Sequence, residues 1–126
     1  MVKVSVIMPV FRPGGLDITF VSLRDQRFCS FEFILIDRRY EKRHTEVMEI
    51  ANEFGVPTIH APEHRRNGKW AVVSSAWNTG FMLAEGEIII MAPDFTYFPP
   101  NWIGDHVRHH DAVSYTHLTL PTILLV

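Results

Sequence analysis

The stretch Glu87-Ile88-Ile89-Ile90-Met91-Ala92-Pro93-Asp94-Phe95-Thr96-Tyr97-Phe98-Pro99-Pro100-Asn101-Trp102 decides how the chain reads. Ile88 to Met91 is apolar without alternation, which predicts a strand buried on both faces, as in a parallel sheet. It stops at a loop holding one acid, Asp94, and two prolines and Trp102 then turn the chain away. An acid just past the C-terminal end of such a strand sits where open α/β sheets bind ligands. A core strand followed by an ordinary turn is the plainer reading of the same residues.

Working outward, strand and helix signals alternate. Val4 to Val10 is β-branched and apolar, with Pro9 marking its end, and Pro13-Gly14-Gly15 is a loop. Leu16 to Arg27 has helical spacing, with Leu16, Phe20 and Leu23 on one face and Asp17 in the first turn. Phe31 to Ile36 is a second buried strand ending at Asp37. Arg43 to Phe54 reads as a helix stopped by Gly55, Val56 to His60 as a third strand, and Ala71 to Ala84 as a helix ended by Gly86. This order predicts an α/β domain with a mostly parallel sheet of about four strands, flanking helices and right-handed crossovers.

Bulk properties agree. The chain has 126 residues, 47% apolar and 21% charged, enough for one domain with a real core. A net charge of -2 gives no pull toward nucleic acid or an anionic membrane. Cys29 is the only cysteine, so no internal disulfide forms. That fits a reducing compartment, hence a cytoplasmic location, with membrane association of a parent protein left open. No apolar run approaches the ~20 residues of a membrane helix, and the start lacks a signal peptide's features. Three motifs are missing: Gly-x-x-x-x-Gly-Lys-Ser/Thr, Gly-x-Gly-x-x-Gly and Gly-x-Ser-x-Gly. An NTPase, a common dinucleotide enzyme and an α/β-hydrolase are therefore disfavoured. His106, His109 and His110 have helical spacing but no zinc signature.

Two cationic clusters follow strands: Arg38, Arg39, Lys42 and Arg43 after the second, and His64, Arg65, Arg66 and Lys69 after the third. In a parallel sheet both lie along one C-terminal edge, where arginine forks can hold phosphate oxygens. Solvated loops, with Glu41 and Glu63 pairing locally, are the alternative. Phe11 lines a base pocket or belongs to the core. Trp70 and Trp77, seven residues apart, read as core packing.

The order of motifs resembles the nucleotide-binding half of a family 2 glycosyltransferase with the GT-A fold. Pro9-Val10-Phe11-Arg12 matches the family's first-strand ending, and Ser22-Leu23-Arg24-Asp25-Gln26 its Ser-Leu-x-x-Gln helix. Asp37-Arg38-Arg39-Tyr40 keeps the first acid of Asp-Asp-Gly-Ser. Trp77-Asn78-Thr79-Gly80 and Ala84-Glu85-Gly86-Glu87 match Arg-Asn-x-Gly and Ala-x-Gly-Glu, with Trp77 in place of the arginine. Pro93-Asp94-Phe95 keeps one acid of the metal-binding Asp-x-Asp loop, and Pro99-Pro100-Asn101-Trp102 matches the turn after it.

The resemblance implies a nucleotide-diphosphate sugar partner of UDP or GDP type, an unknown acceptor and a divalent metal, Mg²⁺ or Mn²⁺, held weakly through Asp94 alone. It implies nucleotide-sugar contacts from Pro9, Phe11, Arg12, Asp37, Asn78, Gly80 and Asp94, to which the two cationic clusters add Arg38 and Arg65 at the diphosphate. Asp37 meets the base or ribose, or else caps the next turn; Asn78 and Gly80 face the donor, or else pack the helix. The family's catalytic base lies in a second half this chain lacks, so no catalytic residue and no turnover are expected of it. A non-catalytic GT-A-like binding domain and a sugar nucleotidyltransferase are the rival classes; Arg12-Pro13-Gly14-Gly15 faintly echoes the latter's glycine-rich loop. Residues 113–122 resemble a translated sequencing adapter from transposase-based library preparation. The expectation is therefore a glycosyltransferase 2-like part over 1–111 and a non-native tail over 112–126.

Overall fold

The computed structural model describes residues 2–64 and 73–116, with the side chains of 73, 74 and 113–116 outside that description. The expected contributions of Arg65, Arg66, Lys69 and Trp70, and the end of the expected tail, lie outside the described residues.

The elements are β1 (Val4–Val10), α1 (Leu16–Arg24), β2 (Phe31–Asp37), α2 (Tyr40–Phe54), β3 (Thr58–Ala61), α3 (Val73–Leu83), β4 (Ile88–Met91) and α4 (Trp102–Thr116). The strands form one sheet in the order β3-β2-β1-β4, parallel throughout. Every residue of β1 and β2 is buried, as expected of central strands covered on both faces.

Period-two alternation divides the core. Val4, Val6, Met8 and Val10 of β1 and Phe31, Phe33 and Leu35 of β2 face α1, α2 and α4, meeting Phe20, Leu23, Val47 and Ile103. Phe20 and Phe33 meet edge-on at 5.4 Å. Ile7, Ile34 and Ile36 point to the other face, where α3 supplies Ala76 and Trp77.

Differences from the sequence reading have local causes. α1 ends at Arg24, short of Arg27, because the chain tightens there: Gln26 N–H donates to Leu23 O, and Arg27 N–H leaves the helix for Pro100 O. α2 begins at Tyr40, ahead of Arg43, because Asp37 Oδ1 accepts from Arg39 N–H and organises the turn. β3 starts at Thr58, because Val56 N–H is spent on Ala51 O in the helix cap around Gly55 (φ 70°). α4 is an element beyond those the sequence pattern predicts. It starts where Trp102 N–H donates to Pro99 O, and Phe98 stacks on Trp102 at 4.1 Å.

At its other end the sheet is fastened by a buried acid. Ser5 Oγ donates to Glu32 Oε2 (2.6 Å), which also accepts from Glu85 N–H, while Gly86 N–H donates to Ser5 Oγ. A Cβ on Gly86 would lie 2.6 Å from Ser5 N, so this turn requires glycine.

Candidate nucleotide site

Sheet order places the switch point between β1 and β4, since the chain runs from β1 outward to β3 and then returns to β1's other side. The β1–β4 register ends at Ile7↔Met91, and Ala92 N–H still donates to Ile7 O. Residues two apart on a strand point the same way, so Pro9 faces the β4 side where the strands have parted. Its missing N–H therefore breaks no ladder bond. β1 continues beside β2 to Val10↔Asp37, and Arg38 N–H donates to Val10 O. The β1–α1 and β4–α4 loops face each other here, at the place where open α/β sheets form their ligand crevice.

Across this crevice Arg12 Nη2 donates to Asp94 Oδ2 at 3.3 Å. The Arg12 guanidinium also lies 4.4 Å above the Phe95 ring. Phe95 has φ 55°, uncommon for a side chain of its size, and its ring fills the space a Cβ on Gly15 would need. Thr19 Oγ1, on α1, donates to Thr96 O at 3.4 Å and ties the β4–α4 loop to that helix. One strand over, the Arg38 guanidinium sits 4.8 Å from the Phe11 ring centroid. Thus Phe11, Arg12, Arg38 and Asp94 come together on one edge.

Asp37 lies under that edge, fully buried. Its Oδ2 accepts from Arg43 Nε (2.6 Å) and His60 Nε2 (2.9 Å), and its Oδ1 from Arg43 Nη2 and Arg39 N–H (both 2.8 Å). Burial alone would raise this carboxyl. The hydrogen bonds from His60, Arg43 and Arg39 N–H, with the Arg43 charge, outweigh it and lower the pKa from 3.8 to about 2. An ionised carboxylate only accepts, so His60 Nε2 carries the proton of that bond. His60 Nδ1 and His44 Nδ1, 2.9 Å apart, then share one proton between them. Arg43 Nη2 also reaches Arg12 O at 3.4 Å, which ties the buried acid to the crevice loop. Asp37 thus spends its acceptor sites inside the protein, bracing the turn that carries Arg38 and Arg39.

α3 lies across the other face of the sheet. A Cβ on Gly80 would overlap Ile7 Cγ2, so the close approach this glycine permits is to β1, while Asn78 is exposed. Thr79 Oγ1 accepts from His64 N–H (2.8 Å) and Ser75 Oγ donates to His64 O, fixing the start of the loop after β3. Between the loops after β2 and β3 is a hollow of about 580 Å³, lined by Arg38, Arg39, Tyr40, Lys42, Pro62 and Glu63 among others. Arg43, expected among the phosphate-facing cations, is turned inward onto Asp37, while His44, His60 and Thr79 carry no site signal in the sequence. Only the pairing of β2 with β3 brings His60 to Asp37, and no spacing in the chain signals that.

The donor set does not fit a resident divalent metal. Asp94 offers one carboxylate, already paired with a guanidinium, where a hard cation wants about six oxygens. No group of three or more His, Cys, Asp or Glu that could hold a metal occurs among the described residues, those around His106 included. No described helix is long and apolar enough to cross a membrane.

No protein-family model matches the chain, and no curated protein does. Among solved structures it is similar to S. aureus TarS 1-349, with TM-score 0.65 and 21% identity over 87% of this chain and 32% of that one. It is also similar to the mannosyltransferase PcManGT from Pyrobaculum calidifontis, solved with GDP-Man and Mn²⁺. There the TM-score is 0.60 and the identity 18%, covering 84% of this chain and 31% of that one. The fold is GT-A-like, and the chain spans about a third of the length of these structures.

Proposed function

We propose that this chain is the nucleotide-sugar-binding part of a glycosyltransferase that uses a UDP- or GDP-type donor. The observation that carries the reading is the pairing of Arg12 with Asp94 across the β1/β4 switch point, with Arg38 and Phe11 paired beside it on the same edge of the sheet. Similarity of fold to a mannosyltransferase solved with GDP-Man supports it. Pro9 opens the gap, the faces of Phe11 and Arg38 are suited to a base, and Arg12 with Arg65 suits diphosphate. Asp37 reaches the nucleotide through the turn it braces, or directly if a ligand displaces one of its protein partners. Asn78, exposed on α3, contacts the sugar, and Gly80 seats that helix. A Mg²⁺ or Mn²⁺ at Asp94 would have to arrive with the nucleotide, since the protein supplies one acid.

The chain alone is expected to bind without turning over. Isothermal titration with UDP, GDP and ADP tests the reading, and no binding of any of them at millimolar concentration would overturn it. Asp94 between Pro93 and Phe95, paired with Arg12, favours a second reading in which the domain binds nucleotide without catalysis. The assignment of 112–126 as a non-native tail belongs to the same proposal. Reading source DNA across codon 112 without a transposase step should show coding sequence that differs after Asp111; a confirmed Val113–Val126 and stop codon would favour the second reading.

A further inference from the structure

We propose that Arg12 is the built-in cation of this site: paired with Asp94 in the free chain, it passes to the diphosphate when nucleotide binds, so that binding needs no divalent metal. The inference rests on the nucleotide reading above and goes further in naming what neutralises the ligand.

Three observations converge. The lone acid of the β4–α4 loop meets a guanidinium across the crevice at 3.3 Å, with apolar Pro93 and Phe95 on either side of it in the chain. That guanidinium is positioned: it rests 4.4 Å above the Phe95 ring, which is itself seated against Gly15 in the space a Cβ would fill. The backbone at Phe95 adopts φ 55° to present the ring this way. Finally, the pair is made to be exchanged. The Arg12 side chain is 67% exposed, against 24% for Asp94, and one Nη2 contact leaves the other guanidinium donors for incoming oxygens. An exposed single-contact pair contributes little, whereas phosphate takes a guanidinium in a bidentate fork.

A divalent cation at Asp94 would lie beside this same guanidinium. It would meet repulsion and find one carboxylate, already engaged by Arg12. Asp94 therefore acts as a parking place for Arg12, which keeps the side chain over the crevice until a stronger anion arrives. A carboxylate that parks the cation competes with the ligand; one that holds a metal assists it. The two roles give opposite signs on neutralisation.

The test is titration of UDP and GDP into the full chain, once with EDTA and once with Mn²⁺, for wild type, Arg12→Ala and Asp94→Asn. Wild type is expected to bind equally within about threefold in both buffers, and Arg12→Ala about tenfold or more weaker in both. Asp94→Asn is expected to bind about two- to fivefold tighter in EDTA, because the competing carboxylate charge is gone. Both side chains lie at the surface; a thermal melt of each variant reports whether it folds, and Arg12→Lys, which keeps charge without the fork, is expected to bind between wild type and Arg12→Ala. Binding that appears only with Mn²⁺, or a tenfold loss in Asp94→Asn, would overturn the inference and leave the nucleotide reading standing. No binding in either buffer would overturn both.

Discussion

Replacing Asp37 by Asn tests whether the buried carboxylate braces the candidate site. Folding lowers its pKa from 3.8 to about 2, which at ~1.4 kcal/mol per tenfold change in proton affinity corresponds to about 2 kcal/mol of stability at neutral pH. Asparagine keeps the shape but not the hydrogen-bond pattern. If its oxygen serves Arg39 N–H and Arg43 Nη2, its NH₂ group faces Arg43 Nε, donor against donor, at a position now 2.6 Å from that nitrogen. His60 can switch tautomer to accept; Arg43 cannot. The substitution should therefore cost about 2–4 kcal/mol at pH 7, measured by urea denaturation. The pH dependence has a definite sign. A carboxyl with a depressed folded pKa stabilises fully above its unfolded value and loses that contribution as pH falls from about 4 toward 2. The gap between wild type and Asp37→Asn should therefore narrow over that window. A gap below about 1 kcal/mol at pH 7, or one that stays constant down to pH 2, would refute the bracing role.

Two further substitutions probe internal contacts of the fold. Gln26→Leu should lose about 2–4 kcal/mol in the same denaturation assay, because Gln26 Nε2 donates to Ser22 O, Phe98 O and Pro99 O while its Oε1 accepts from Ile103 N–H. Nucleotide affinity should stay within about twofold of wild type. Gly80→Ala should destabilise by about 1–3 kcal/mol, since the new methyl runs into Ile7 in the middle of the sheet; a stabilised variant would mean that α3 does not seat so closely.

Fold class was legible because β1, apolar but for Ser5, and β4, apolar throughout, lie between clear stops, and both were bounded to the residue. Helix ends were less legible because distant groups set them. Asp37 starts α2, and the chain around Gln26 ends α1 by turning to Pro100. α4 escaped notice because few of its residues enter the core, chiefly Ile103 and Val107. At the site, motif order pointed to Arg12, Asp37 and Asp94 but not to their partners. Arg12 and Asp94 are 82 positions apart and meet only because β4 returns beside β1. Asp37 gains His60 only through the β2–β3 register, so its hold within the protein could not be read from the chain.

The strand order also sets a schedule. β1 is made first, yet one of its two neighbours, β4, is made last, roughly 50 residues after β2 is complete. At ~5–20 residues per second, a ribosome leaves that side of β1 without its partner for roughly 3–10 s. Val4, Val6 and Ile7, each fully buried in the finished sheet, spend that interval at an open edge able to accept any strand that passes. Synthesis thus adds an interval of edge exposure that the finished sheet no longer has at β1, and slow decoding between β3 and β4 would lengthen it without altering a single contact of the finished fold.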